Sequence, residues 1–500
     1  MKFFESGGRV YGIFETSWDL IPESGYHIPG KMAGVWFGPI RLIGDLSVDM
    51  GDFKGLKRKI WGKVLEFENG KLQLMAAWKK RCFFIKALGK GRLTIIFDGT
   101  PSWLSEKLGW KGDLKIEGNE VITDDGIYLV EVSNGTYEFR EKTLEVLFDR
   151  ETGVKIWQGT CLDFWKEKEN KEGFLKRHGA DKDWMKRFLV EMYFDSGYGK
   201  GLMAGLEEFP WWFNVDLFFT APVLISKGLG WIVKDTLLTL LEKMEFLPPH
   251  EVVSNGVVNE VFNEFEVFTA ISTVSMYTEG ENDDSFIPHL KHLMEIAEKL
   301  ILKGLAGRGM VEVEGYEGKV LDLETFAYKA LRDLEMLERK IGIEMGKVLK
   351  WKLEKFEKEF LKEWYVPARG LFKGPVHFTQ VLPLYFGLVP RNVGRAVLRN
   401  IERIGMITKY GLKHSLQMNE KKGLYGEKAE KVWWLTNALL KRANQMYGNV
   451  LNLSYLEELF ERDLKSIGYP PEIVGGESGC FAQSWSVLFP DVISSMKNMI

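Results

Sequence analysis

The sequence of 500 residues is longer than an ordinary single domain and predicts two or three domains with a large hydrophobic core. A composition of 45% hydrophobic and 27% charged residues excludes both a disordered chain and a membrane-embedded one. A net charge of -3 excludes the basic surface that nucleic-acid-binding proteins carry, so no nucleic-acid partner is expected.

The cysteines, the histidines and the N-terminus give no sign of a disulfide framework, a metal site or an export signal. Cys82, Cys161 and Cys480 are far apart in sequence and form no CxxC pair, and no histidines form HxH or HExxH. The N-terminus lacks an apolar signal segment, and no uncharged apolar run reaches about 18 residues. We expect a soluble, cytoplasmic protein with no membrane partner. Abundant Lys and Glu with scarce Gln are typical of hyperthermophiles.

Residues 1–160 predict an antiparallel β-sandwich. Short runs of β-branched and aromatic residues, such as RLTIIF (92–97), GIYLVEV (126–132) and TLEVLF (143–148), are separated by turn residues such as Asp98-Gly99 and Asn134-Gly135. Many short strands at regular spacing favour two packed sheets.

The composition changes after residue 160. Residues 161–182 are highly charged and predict a linker, helical in form, whose charge run is most simply a solvated face. From residue 183 to residue 500 helical periods replace strand signals. Twelve helices are predicted, at 183–197, 212–227, 229–244, 263–279, 284–304, 321–340, 343–362, 376–386, 390–404, 427–447, 451–467 and 478–496.

These helices alternate in character. Segments 284–304 and 343–362 are amphipathic with a charged face, as outer helices are, whereas 212–227, 263–279 and 478–496 are apolar nearly all round, as enclosed helices are. Six hairpins of one outer and one inner helix predict an (α/α)6 toroid. In that fold the starts of the inner helices converge at one mouth.

The segment GLMAGLEEFPWWFNVDLFF (201–219) places carboxylates beside indole rings where an apolar helix begins. Flat apolar rings suit the faces of pyranose sugars, and a carboxyl with a raised pKa can act as a general acid. The alternative is that Trp211 and Trp212 are core residues and Asp216 is an N-cap or first-turn acid.

The same topology predicts which other polar and aromatic residues reach the mouth. Each of them lies before or within the first turn of an inner helix, where its side chain could bind sugar hydroxyls or merely cap and pack. Together with the two tryptophans above, the predicted substrate-binding residues are Asn263, Glu264, Asp322, His377, Gln380, Trp433, Trp434, Gln483 and Trp485.

The C-terminal segment carries a family resemblance. Pro471-Glu472, followed by Gly479-Cys480-Phe481-Ala482-Gln483-Ser484-Trp485-Ser486, resembles the end of the amylo-α-1,6-glucosidase part of glycogen debranching enzymes. AGLEEFPWWFNVD, PPHEVVSNG, LDLETFAYKALRDL and HFTQVLPLYFGL are similar to family segments in the same order, so the resemblance spans about residues 200–490. The family's Gly-Arg-Asp is replaced by Asn214-Val215-Asp216, Glu207-Glu208 is inserted, and the glucanotransferase domain is missing.

The resemblance implies an inverting glycoside hydrolase that cleaves an α-glucosidic bond, with Asp216 as general acid and Glu472 as general base. The two carboxyl groups would then lie about 6.5–9.5 Å apart, with a water between them. Glu477 is an alternative base, and Glu207, Glu208, Glu264 and Glu266 are alternative acids. The expected partner is an oligosaccharide or α-glucan, with neither metal nor other cofactor.

Two alternatives remain open. One is another α-glycosidase on the same scaffold, of the trehalase-like or oligosaccharide-trimming kind. The other is a non-catalytic carbohydrate-binding protein, for which the missing arginine beside Asp216 is the argument.

Overall fold

The computed structural model describes residues 1–22, 32–259, 263–305, 307, 309–310, 320–416, 432–475 and 479–497. The chain divides into two compact units. The first comprises Met1–Trp212 and Val252–Asn259, and the second comprises Phe213–Glu251 and Glu260–Ile500. No helix in these described ranges is long and apolar enough to cross a membrane.

The first unit is built on two antiparallel sheets. Its strands are β1 (Lys2–Ser6), β2 (Val10–Glu15), β3 (Gly34–Phe37), β4 (Ile40–Asp49), β5 (Phe53–Lys59), β6 (Gly62–Phe67), β7 (Gly70–Ala76), β8 (Cys82–Gly89), β9 (Gly91–Phe97), β10 (Lys115–Glu117), β11 (Glu120–Thr123), β12 (Gly126–Ser133), β13 (Thr136–Arg140), β14 (Thr143–Phe148) and β15 (Thr152–Trp157). One sheet has the order β1-β2-β3-β4-β9-β14-β13, and the other has the order β10-β11-β12-β15-β8-β7-β6-β5.

Burial alternates along the strands because successive side chains point to opposite faces. In β9, Leu93, Ile95 and Phe97 are buried while Ile96 is exposed. The antiparallel sandwich predicted for the N-terminal part is confirmed. Shorter strands lie at Tyr193–Asp195, Lys200–Leu202, Gly205–Leu206, Trp212–Phe213, Glu251–Val252, Tyr365–Val366, Leu371–Phe372, Ile407–Thr408, Gly411–Leu412 and Ala482–Gln483.

The charged stretch after the sandwich forms helix α1 (Phe164–Arg177), and α2 (Trp184–Glu191) follows. The side chain of Asp163 caps α1 by accepting the backbone N–H groups of Trp165 and Lys166 at 2.9 and 3.1 Å. The charge run is not wholly a solvated face, because Glu167 and Lys171 are buried.

Lys171 is buried in a network of ion pairs inside the first unit. Its Nζ donates to Glu5 and to the backbone carbonyls of Ser6 and Ala76. Lys63, also buried, lies 3.4 Å from the second oxygen of Glu5. A buried charge is tolerated when it is paired and hydrogen-bonded. These contacts explain why a sequence of mostly solvated charges contains one lysine that faces the sandwich.

Cys82 and Cys161 form a disulfide, with Cα atoms 6.2 Å apart, and Cys480 is free and buried. The expectation that the cysteines give no disulfide was wrong. Cys82 begins β8 opposite Trp157 at the end of β15, so the antiparallel register brings Cys161 back to it. A sequence separation of 79 residues conceals this proximity.

The second unit is helical. The structure describes α3 (Asn214–Ser226), α4 (Gly230–Leu241), α5 (Phe265–Glu281), α6 (Ile287–Leu302), α7 (Leu321–Ile341), α8 (Lys347–Trp364), α9 (Leu382–Tyr385), α10 (Arg391–Arg403), α11 (Trp434–Met446), α12 (Tyr455–Ile467) and α13 (Leu488–Lys497). Short 3-10 turns, Phe378–Val381 and Ser484–Val487, precede α9 and α13. All twelve predicted helices are present, although part of the predicted segment 427–447 lies outside the described residues.

Six helices form a closed inner ring. Helices α3, α5, α7, α9, α11 and α13 each pack on the next, and α13 packs on α3. The others lie outside the ring: α4 packs on α3 and α5, α8 packs on α7, and Phe460 of α12 contacts Trp434 of α11. The inner α3 buries nearly every residue, whereas α8 buries Leu349, Leu353, Phe356 and Phe360 on one face.

We expect the disulfide to stabilise the first unit. Cross-linking residues that close a loop of this size contributes about 4 kcal/mol by limiting the unfolded chain. Replacing both cysteines (Cys82→Ser with Cys161→Ser) should lower the denaturant midpoint of the oxidised protein, and reductant should lower the wild-type midpoint only. Thiol titration in denaturant is the control, because the unreduced wild type should show only Cys480. Equal midpoints with and without reductant would contradict the prediction.

Candidate active site in the helical ring

Asp216 lies in the first turn of α3, buried in the inner ring. Its Oδ1 accepts a hydrogen bond of 2.9 Å from Nε2 of Gln483. The two residues are 267 positions apart, so the closing of the ring brings them together. The second atom of the Gln483 amide, Oε1, is buried with no hydrogen-bond partner in the described part of the chain.

The surroundings of Asp216 favour its protonated form. Burial and three neighbouring carboxylates raise the pKa of Asp216 to about 8, and the charge of His250 opposes that rise. The carboxylates are those of Glu472, Glu266 and Glu251. The N-terminus of a helix stabilises an anion and so lowers the pKa of a carboxyl group. Burial has the larger effect here and raises the pKa of Asp216. Asp216 therefore holds its proton at neutral pH.

Glu472 lies in the loop before α13 and is buried. Its Oε2 accepts the backbone N–H of Cys480 at 3.0 Å, and its own N–H donates to the carbonyl of Cys480 at 2.9 Å. Gly479 has a positive φ of 75°, and a Cβ there would lie 2.6 Å from Oε2 of Glu472. Only glycine allows the loop to close on the carboxylate in this way.

His250 and Glu266 form a second pair close to Asp216. Nδ1 of His250 lies 2.5 Å from Oε1 of Glu266, and Glu266 is fully buried. His250 is absent from the predicted site residues. A lone histidine after two prolines forms no catalytic or metal-binding motif in the sequence. Its contact with Glu266 of α5, visible only in the structure, is what singles out His250.

An aromatic wall lies beside the start of α11. Trp433 contacts Trp485, with ring centroids 5.5 Å apart, and His414 at 4.7 Å. Phe378 contacts both His414 and Trp433, at 5.2 and 5.8 Å. The four rings come from segments preceding three different inner helices. Trp433 and Trp485 are among the predicted sugar-stacking residues.

Several buried polar atoms at the inner-helix starts have no hydrogen-bond partner among the described residues. They are Oδ1 of Asn214, Nδ1 of His414, Oε1 of Gln483, Oγ of Ser484 and Nε1 of Trp485. Buried polar groups are nearly always paired. Unpaired buried donors and acceptors of this kind can bind a polar ligand.

Other predicted residues use their side chains within the fold. The amide of Gln380 contacts the backbone three times, through the N–H of Phe372 and the carbonyls of Phe372 and Pro375. His377 bonds to Thr379, and burial lowers its pKa to about 3.

Two more of the predicted residues, Asp322 and Trp434, make contacts within the fold. Asp322 accepts the N–H of Leu323 in the first turn of α7. Trp434 packs on Phe460 and Phe489 and donates to Asp463 at 3.3 Å.

The remaining predicted residues lie at the start of inner helix α5 or in the first unit. Asn263 and Glu264 immediately precede α5. Trp211 and Trp212 belong to the first unit, where Trp211 stacks on Trp103 and Trp212 on Phe194. Of the alternative acids and bases, Glu207 pairs with Lys2 in the first unit, and Glu477 lies outside the described residues.

Comparison with known proteins establishes the fold. No protein-family model and no curated protein matches the chain. A bacterial glucoamylase complexed with acarbose is similar in structure, with 10% identity and a TM-score of 0.69 over 98% of this chain and 93% of its own. A candidate kojibiose phosphorylase from the human microbiome has 10% identity and a TM-score of 0.50, over 98% and 86% of the two chains. A glycosidase variant has 13% identity and a TM-score of 0.50, over 68% and 100%.

These likenesses agree with the sheets and the helical ring. The chain therefore has an N-terminal β-sandwich and an (α/α)6 barrel, the fold that the similar glucoamylase structure shares. Membership of the amylo-α-1,6-glucosidase family stays a prediction. In the described part of the chain, no group of His, Cys, Asp and Glu side chains is arranged to hold a metal ion.

The raised pKa of Asp216 predicts how stability depends on pH. The folded protein keeps this proton up to about pH 8, whereas the unfolded chain loses it near the ordinary value of 3.8. The associated stability is present below pH 4 and is lost as pH rises through 8. Asp216→Asn should therefore gain melting temperature over the wild type increasingly from pH 5 to pH 8. The exposed Asp149→Asn is the control, and a pH-independent difference for Asp216→Asn would contradict the prediction.

Proposed function

We propose that this protein is a glycoside hydrolase that cleaves an α-glucosidic bond with inversion, and that the helical domain carries the reaction. The observation that carries the proposal is the arrangement around Asp216: a buried carboxyl that holds its proton at neutral pH, with the carboxylate of Glu472 acting on it. A pair of carboxyl groups in opposite protonation states is what glycosidic cleavage requires.

In the proposed reaction Asp216 gives its proton to the glycosidic oxygen, which leaves as a hydroxyl group. A water molecule attacks the anomeric carbon from the opposite face, and Glu472 accepts the proton that the water loses. The backbone N–H of Cys480 holds Glu472 in place through Oε2. Because the loop fixes this carboxylate, Glu472 can orient the attacking water in the proposed reaction.

The substrate is a neutral sugar in this proposal. Trp433 and Trp485 supply flat faces for a pyranose ring, while the unpaired Oε1 of Gln483 and Nε1 of Trp485 match sugar hydroxyls as acceptor and donor. Gln483 is placed to bind both Asp216 and the substrate.

Water, rather than phosphate, is the proposed acceptor, although one similar structure is a candidate phosphorylase. The charges that act on Asp216 are those of three glutamates and one histidine. This acidic surrounding repels a phosphate dianion but not water. The specific α-1,6 linkage rests on the resemblance of the segments around Asp216 and Glu472 to amylo-α-1,6-glucosidases.

The first experiment measures release of glucose from isomaltose, panose, maltose, trehalose and glycogen limit dextrin. We expect isomaltose or panose to be cleaved, with the β-anomer released first. Asp216→Asn and Glu472→Gln should each lower kcat by about 10²- to 10⁴-fold, since each removes one proton transfer. Circular dichroism is the control for folding.

The panel also separates the alternatives. Preference for trehalose or maltose would assign the protein to another α-glycosidase. If no sugar is cleaved but one of them raises the melting temperature, the protein is a carbohydrate-binding protein and the hydrolase proposal fails.

Two buried glutamines form a matched pair of variants. Gln483→Ala should lower kcat/KM by roughly 10- to 100-fold, the cost of a hydrogen bond to a charged or reacting group, with little change in melting temperature. Gln380→Ala should do the reverse, because its amide holds only backbone. Melting curves and kinetics at one pH compare the two. Equal kinetic effects would remove Gln483 from the site.

A further inference from the structure

His250 is fixed by contacts on three sides. Its Nδ1 lies 2.5 Å from Oε1 of Glu266, and the edge of Phe213 meets its ring in a T-shaped contact with centroids 5.3 Å apart. Its backbone carbonyl accepts the N–H of Asn214 at 3.1 Å. His250 is therefore held by residues at the start of α3 and by Glu266 of α5.

The His250–Glu266 pair is tied to the helix turn that carries Asp216. Asn214 begins α3 two residues before Asp216, and its Nδ2 donates to the backbone carbonyl of Glu266 at 2.9 Å. The second carboxylate oxygen of Glu266 accepts the hydroxyl of Thr269 at 3.3 Å. Hydrogen bonds through Asn214 therefore hold the His250–Glu266 pair to the first turn of α3.

The charges around Asp216 are of both signs. Those of Glu472, Glu266 and Glu251 favour its neutral form, and His250 is the neighbour whose charge favours its ionised form. The charges that act on His250 are those of Glu266 from α5, of Glu251 beside it in sequence, and of Asp216 from α3.

We propose that His250, held by Glu266, is a positioning residue whose ring supports the carboxylate that Asp216 becomes after it has given its proton to the glycosidic oxygen. This inference rests on the proposed hydrolase function. When the O–H bond of Asp216 breaks, its proton goes to the leaving oxygen and a buried negative charge remains. A cation already in place stabilises that charge without any rearrangement.

The charge state of His250 agrees with this role. Burial lowers the pKa of His250, but its hydrogen bond to Glu266 and the charges of Glu266, Glu251 and Asp216 raise the pKa overall to about 9. The imidazole is therefore an imidazolium at neutral pH.

The kinetic test is His250→Gln, which keeps a hydrogen-bond donor and removes the charge. We expect kcat to fall about tenfold or more, with KM little changed, and the alkaline limb of the pH–kcat profile to move to higher pH, because Asp216 becomes a weaker acid. His292→Gln, an exposed histidine on α6, is the matched control and should leave the profile unchanged. An unchanged profile in His250→Gln would overturn the inference.

A second measurement keeps the inference separate from the proposed function. Nitrogen-15 NMR of the histidine rings in the wild type should show one imidazolium that persists above pH 8. In Glu266→Gln that ring should titrate at least one pH unit lower. If no sugar is cleaved while both titrations behave so, the hydrolase proposal fails and the charged His250–Glu266 pair stands. If His250 titrates at its ordinary value of 6.5 in the wild type, the inference fails whatever the activity.

Discussion

Several ionisable side chains lie together where inner helices of the ring begin, and the remainder of the site depends on how their charges balance. Each buried carboxylate costs free energy unless it is paired, hydrogen-bonded or protonated. The site uses all three solutions: Glu266 pairs with His250, Glu472 accepts a backbone N–H, and Asp216 keeps its proton. The protonated state of Asp216 thus follows from its surroundings.

The ring makes this assembly possible because it is closed. Asp216 and Glu472 stand near opposite ends of the helical sequence, and the packing of α13 on α3 brings their segments side by side. The hydrogen bond from Gln483 to Asp216 joins these two segments. Groups on inner helices have little freedom to move, so the hydrogen bonds around the site are set before any ligand arrives.

The first unit also contains a buried charged side chain, and its role there is structural. Lys171 comes from a stretch that looks solvated, yet its ammonium group is buried against Glu5 and two backbone carbonyls. This pairing helps to hold α1 against the sandwich. The disulfide from Cys82 to Cys161 restrains the chain just before the same helix.

Some features of the fold and of the site could be predicted from the sequence, and others could not. The apolar periodicity of segments such as 212–227 was sufficient to identify inner helices. The choice of Glu472 as general base, which rests on the resemblance of the motif Pro471-Glu472, stays a prediction. The same reasoning overlooked His250, which has no distinguishing neighbour in sequence. It also missed the disulfide, because antiparallel pairing, and not spacing along the chain, brings Cys161 to Cys82.

By itself, the sequence determined the order of strands and helices, the alternation of inner and outer helices and the sandwich-plus-barrel fold, because these follow from local periodicity and burial. Only the tertiary structure decided which polar groups meet. The pairing of Gln483 with Asp216, of Glu266 with His250 and of Gly479 with Glu472 depends on ring closure and loop geometry. Charge states follow from that proximity, since a pKa is set by the distance to other charges and to water.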